Sequence, residues 1–196
     1  MLSERLREMT LAIRTTIARA LGRLGFSPNA LTLIGYLLNV PVMLVLAGGH
    51  WRWGGILVAL ASAFDALDGT LARDSNQTTL FGAFFDSVLD RFSEATVLFG
   101  LLYWYVQQGA RLEPILIYIT IVGSLMVSYT RARAEGLGLE CKTGWMTRFE
   151  RVVILVLALL LGRPTFALAI LAILTLWTSI QRILYVWQTT AHGAAK

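Results

Sequence analysis

Three observations predict an all-α integral membrane bundle of six transmembrane helices, preceded by an N-terminal amphipathic helix in the interface. The chain is strongly apolar: its mean hydropathy is +0.64, and 56% of its 196 residues are hydrophobic against 15% charged. The apolar residues fall in long runs, several close to the ~20 residues that a membrane crossing needs. Lysine and arginine gather in alternate connections between those runs. Composition of this kind excludes an ordinary soluble domain.

The elements follow in order. Residues 1–25 carry Arg5, Arg7, Arg14, Arg19 and Arg23, with Leu2, Leu6, Met9, Ile13, Ile17 and Leu21 at helical spacing between them. That pattern predicts a helix lying on the membrane surface, not a secretory signal, because it has neither a long apolar core nor a small-residue cleavage site. Ser27, Pro28 and Asn29 break it. Six spans are predicted at 31–48, 53–73, 80–107, 113–134, 147–162 and 165–188. Residues 26–190 thus form one domain, and 191–196 a short tail. The single Cys141 makes no internal disulfide.

Six spans put both termini on one side with Arg73, Arg131, Arg133, Lys142, Arg148, Arg151 and Lys196, while the opposite loops hold Arg52, Arg111 and Arg163. The positive-inside rule then sets both termini in the cytoplasm of a multi-pass cell-membrane protein. The net charge of +5 draws anionic lipid and anionic substrates to that face. Basic residues scattered over short loops give no support to a nucleic-acid partner.

Four carboxylates lie inside predicted spans, where each costs about 2.5–3.5 kcal/mol on insertion scales and marks a functional position. Asp65 and Asp68 are spaced i, i+3 near the end of the second span; Asp86 and Asp90 are spaced i, i+4 near the start of the third. Each pair occupies one face of its helix. The short connection 74–79 predicts that the two helices are antiparallel neighbours, bringing both pairs to one depth. Four facing carboxylates repel unless a cation joins them. Hard oxygen donors in this number suit Mg²⁺ or Mn²⁺, and two ions are expected. Salt bridges to Arg73 and Arg91 are the plain alternative, but two arginines do not balance four acids. Gly69, Ala72 and Gly82 are small enough to admit a ligand, and Arg73 and Thr79 offer donors for phosphate oxygens.

Residues 65–90 read D-x-x-D-G-x-x-A-R-x8-G-x-x-x-D-x-x-x-D. This resembles the defining motif of the CDP-alcohol phosphotransferases, with every fixed position filled. The resemblance implies transfer of a substituted phosphate from a CDP-linked donor to an alcohol, with release of CMP, and commonly a homodimer. It implies Asp65, Asp68 and Asp86 as metal ligands, and Asp90 as metal ligand, catalytic base or both. It also implies that Asn29, Asp65, Asp68, Gly69, Ala72, Arg73, Thr79 and Gly82 line the CDP site.

The end of the fourth span, Ser128-Tyr129-Thr130-Arg131-Ala132-Arg133-Ala134-Glu135, resembles the corresponding stretch of the phosphatidylinositol phosphate synthases within that family. Arg148, Glu150 and Arg151 resemble their E-R-x-E-R, with Thr147 in place of the first glutamate, and Arg182 resembles their last-span arginine. Ser128, Arg131, Arg133, Arg148 and Arg182 are then expected to bind an inositol phosphate acceptor, with CDP-diacylglycerol as donor. Guanidinium forks suit such a phosphate. For Arg182 the expectation also rests on cost: an arginine deep in a span needs a partner, and the acids are assigned to metal. The same cluster would serve glycerol 3-phosphate in a phosphatidylglycerophosphate synthase, although Ser87 stands where those enzymes often have proline. A cation transporter is the reading from another class; acids near one membrane face, away from the midplane, and the absence of an inverted repeat argue against it.

Overall fold

The computed structural model describes residues 15–75 and 77–193. All regular structure among them is helical. Helix α1 covers 15–23, followed by α2 (Pro28–Leu37), α3 (Asn39–Ala47), α4 (Trp51–Asp74), α5 (Leu80–Gln107), α6 (Leu112–Glu135), α7 (Arg148–Leu160) and α8 (Pro164–Gly193). Most of the predicted amphipathic leader, including Leu2, Leu6, Met9 and Ile13, lies outside the described residues. What is described of it packs inward in part: Ala18 is fully buried beside Leu31 and Leu71, and Arg19 donates to both oxygens of Asp74 at 2.8 and 2.7 Å. Helix α8 runs on to Gly193, beyond the 190/191 boundary expected for the tail.

The first predicted span is two helices. Pro41 has no N–H to give Leu37, and its ring crowds that carbonyl, so the helix breaks one turn earlier at Leu38. Asn39 Nδ2 donates to the Gly35 carbonyl at 2.9 Å across the break. Among the described residues, four segments are long and apolar enough to cross a membrane: Pro28–Ala47, Trp51–Asp74, Leu112–Glu135 and Pro164–Ala191. Helices α5 and α7 occupy their predicted positions without meeting that description. The N-terminal part of α5 carries Asp86, Asp90, Arg91 and Glu94. Helix α7 has 13 residues, about 20 Å at 1.5 Å each, short of the ~30 Å hydrocarbon core.

Packing closes the helices into a ring. The α2–α3 pair packs on both α4 and α5, α4 on α7, α7 on α8, α8 on α6, and α6 on α5. The expectation that α4 and α5 are packed neighbours is therefore corrected: α2 and α3 wedge between them, and their short connection joins two splayed helices. The space so opened is where the acids face one another. Away from it the ring is filled by Leu46, Leu98, Leu101, Ile117, Leu159 and Leu168, all almost fully buried. At the end remote from the acids, Trp51 meets Trp104 edge-on at 4.5 Å and stacks on Tyr105, an aromatic group of the kind found at membrane interfaces. Outward positions stay apolar, as with Trp53, Tyr118, Phe166 and Ile173.

Candidate active site

Each wall of the site begins at a helix cap. Ser27 caps α2, its Oγ accepting from the Ala30 N–H at 3.2 Å, and Pro28 fills the first helical position. Thr79 caps α5, its Oγ1 accepting from the Gly82 N–H at 2.9 Å. These caps set the starts of α2 and α5 beside the last turns of α4. A cleft with about 590 Å³ of open space lies between them, against Asn29, Thr32, Asp68, Gly69, Ala72, Arg73, Thr79, Gly82 and Asp86. Seven of the eight residues expected at a CDP site thus share one cleft, and Asp65 lies just behind it.

The two glycines differ. A Cβ at Gly69 would meet nothing closer than the end of Arg73, at 3.6 Å, so this residue opens the helix face onto the cleft. A Cβ at Gly82 would press Thr79 Oγ1 at 2.9 Å and Asn29 Oδ1 at 3.1 Å. Gly82 is what lets the α2 and α5 termini come together.

Asp65, Asp68 and Asp86 each turn one carboxylate oxygen to a common point, with all three oxygens within 4.8 Å of one another. Three hard oxygens so grouped fit a divalent cation. Asp68 is buried and held on both sides: Thr32 Oγ1 donates to its Oδ2 at 2.6 Å, and the Gly69 N–H to its Oδ1. The structure leaves Asp90 outside this triad. Its Oδ1 lies 2.6 Å from Arg148 Nη1, and its Oδ2 3.6 Å from Arg91. Arg148 also donates to Asp65 Oδ2. One arginine from α7 thus crosses the ring to join the acid pairs of α4 and α5. Ser87 bonds its own helix through the Phe84 carbonyl at 2.8 Å.

The residues expected around an acceptor do not all converge. Arg131 pairs with Glu135 at 2.8 Å and is half exposed, Arg133 is exposed, and Ser128 is half-buried. Arg182 is 4% exposed and already has partners: its Nε donates to the Thr143 carbonyl at 2.9 Å, and an Nη to that of Val127. An acceptor phosphate at Arg182 would therefore add to partners that it already has within the chain. Those partners are the carbonyl of Val127, within α6, and that of Thr143, in the 136–147 loop. Gly144 in that loop has φ +116°, and a Cβ there would strike Thr178 at 2.7 Å, so the loop is tightly seated on α8 at this point.

Two residues escaped the sequence reading. Thr32 shares a face with Asn29 at i, i+3, a signal that was there to be read. Glu94 continues the Asp86–Asp90 stripe by one more i+4 step. It accepts both ends of the buried Arg151 fork, at 2.7 Å each.

The sequence model of the CDP-alcohol phosphatidyltransferase family matches residues 26–190. The archaetidylinositol phosphate synthase of Pyrococcus horikoshii is 36% identical over 168 residues, covering 85% of this chain and 87% of that protein. The Mycobacterium tuberculosis phosphatidylinositol phosphate synthase, solved with manganese and citrate, superposes with a TM-score of 0.82 at 33% identity, covering 89% of this chain and 88% of that one. The same protein with CDP-DAG bound also gives a TM-score of 0.82, covering 90% and 94%.

Proposed function

The chain belongs to the CDP-alcohol phosphatidyltransferase family, and from that premise we propose that it transfers a phosphatidyl group from CDP-diacylglycerol to an inositol phosphate and releases CMP. The observation that carries this reading is the triad of carboxylate oxygens at the wall of the cleft between α2, α4 and α5. The names of its relatives, which share an inositol phosphate product, support the choice of acceptor.

The cleft between α2, α4 and α5 is assigned to the CDP part of the donor. Asn29, Arg73 and Thr79 supply polar contacts, and Gly69 and Ala72 leave room for the ligand against the helix. Asp65, Asp68 and Asp86 are assigned to Mg²⁺ or Mn²⁺, which when bound stabilises charge on the pyrophosphate and the leaving group. A second ion would draw on Asp90, whose oxygens face Arg148 and Arg91. Asp90 is assigned the proton of the acceptor hydroxyl. As that hydroxyl oxygen bonds to the lipid-bearing phosphorus, the bond from that phosphorus to the bridging oxygen breaks, and CMP departs with that oxygen. The acceptor phosphate is assigned to the side of α6, α7 and α8, to Arg148 first, with Ser128, Arg131 and Arg133 beyond it. Arg182 serves by seating the 136–147 loop.

Six crossings, both termini and the acids at the cytoplasmic face, a surrounding lipid phase and a homodimer belong to the same reading. The arginine bias supports the orientation. The test is CMP release by purified protein given CDP-diacylglycerol or its archaetidyl counterpart, and inositol phosphate, glycerol 3-phosphate, serine or inositol in turn. Turnover should be strongest with inositol phosphate, vanish in chelator, and return with Mg²⁺ or Mn²⁺. Equal turnover on unphosphorylated inositol overturns the acceptor assignment, and full turnover after verified metal removal overturns the triad's role.

A further inference from the structure

Two ion pairs cross the interior of the ring between the same two helices. On α5, Asp90 and Glu94 are one turn apart; on α7, Arg148 and Arg151 are one turn apart. Arg148 reaches Asp90 at 2.6 Å, and Arg151 reaches Glu94 with a two-pronged contact at 2.7 Å on each prong. Helices α5 and α7 are not packed against one another; α7 leans on α4 and α8. A small cavity of about 40 Å³ lies between them, walled by Ser93, Glu94, Arg148 and Arg151 together with apolar side chains such as Val97 and Leu155. The two arginine side chains therefore link helices whose backbones are not close neighbours, beside the apolar core that both helices share.

The deeper bridge is the better fixed. Arg151 is 4% exposed, and its Nη1 also donates to the Met146 carbonyl at 3.1 Å, tying in the residue that precedes the α7 cap. A guanidinium–carboxylate fork defines distance and orientation more narrowly than a single contact. A buried pair of this kind adds little net stability against apolar residues of the same shape, while it can select one register.

We propose that Glu94 and Arg151 are positioning residues for the reaction: their buried fork fixes α7 against α5 in the one register that lets Arg148 address Asp90 and Asp65. The proposal rests on the phosphatidyltransferase reading above for its kinetic consequence, though not for its geometric one. Neither residue touches the cleft assigned to the donor. Their effect passes through Arg148, one turn nearer the acids.

The test compares wild type, Glu94→Gln, Arg148→Gln and the double variant in purified form, measuring kcat, both Michaelis constants and thermal stability. Glu94→Gln should lower kcat by about 10- to 100-fold, the scale expected of a small misplacement transmitted to a reacting centre. The Michaelis constant for CDP-diacylglycerol should stay unchanged. In the Arg148→Gln background the same substitution should add almost nothing, since the group it positions is gone. Losses that multiply in the double variant, or a lowered melting temperature with kcat unchanged, overturn the proposal. Arg151→Lys keeps the charge and gives up the fork; it should show a smaller loss of the same kind, and it replaces Glu94→Gln in the comparison if that variant does not fold. Spin labels at the exposed positions Phe92 and Leu157 read the α5–α7 distance without any turnover. That distance distribution should broaden in Glu94→Gln; an unchanged distribution rejects the register claim. No CMP release by wild type, with the broadening still seen in Glu94→Gln, refutes the phosphatidyltransferase reading and leaves the register claim intact.

Discussion

Asp65, Asp68, Asp86 and Asp90 come from one stretch of chain, whereas Arg131, Arg148 and Arg182 come from three helices spread over the last third of it. Asp65, Asp68 and Asp86 gather as their spacing predicts, because i, i+3 and i, i+4 steps fix which side chains share a helix face and a short connection holds the two faces at one level. The arginines look equivalent in sequence and end in three different situations. Arg131 is paired with Glu135 on its own helix. Arg148 is placed among the acids. Arg182 is bonded to backbone carbonyls. Local spacing decides a site built within one hairpin, and packing decides a site shared among distant helices.

The sharpest way to break the comparison is at Asp90. Asp90→Asn keeps the size of the side chain but removes a useful proton acceptor, so turnover should fall by roughly 10²–10⁴-fold, the usual worth of a general base. CDP-diacylglycerol binding, measured separately by equilibrium titration, should survive. Turnover close to wild type would remove Asp90 from the chemistry and leave the triad as the only acid centre.

Arg182→Ala asks whether the basic region contains a structural arginine. Removing it takes the Nε donor from the Thr143 carbonyl, and leaving such a group unsatisfied typically costs about 1–3 kcal/mol; the Val127 carbonyl keeps Thr130 Oγ1 at 3.2 Å. The melting temperature should drop, and limited proteolysis should reach the 136–147 loop sooner. A variant with wild-type stability and a raised acceptor KM would return Arg182 to the acceptor site, making the two regions more alike than their contacts indicate.

The smallest effect is expected at Gly69. Its Cβ position is open, with Arg73 no nearer than 3.6 Å, so Gly69→Ala should fold normally and even gain slightly from alanine's helix propensity. The added methyl intrudes on the cleft instead. A rise of about tenfold in the donor KM, equivalent to ~1.4 kcal/mol, with kcat nearly unchanged, would identify the cleft as the nucleotide site. An unchanged donor KM would place the nucleotide elsewhere.

The residues themselves show how far the sequence could be read. The start of α5 at Leu80 after the Thr79 cap, and the cleft residues Asn29, Gly69, Ala72, Arg73, Thr79 and Gly82, are legible because caps, turns and helical faces depend on neighbours in the chain. The break at Leu38 was available from Pro41. The splaying of α4 and α5 was not, since a short connection limits the distance between helix ends and says nothing about what wedges between their flanks. Glu94 continued a visible acidic stripe, yet its partner lies 57 residues away, and no local pattern names it.

By itself the sequence determined the helical membrane bundle, the order of its elements and the four acids with their spacing, since burial of apolar runs and helical periodicity are properties of contiguous residues. Tertiary structure alone decided that α2 and α3 separate α4 from α5, that Asp90 stands apart from the triad, and which arginine crosses the ring to meet it. Those outcomes depend on the closing of a ring of helices, where the position of each side chain is set by every helix packed between it and its partner.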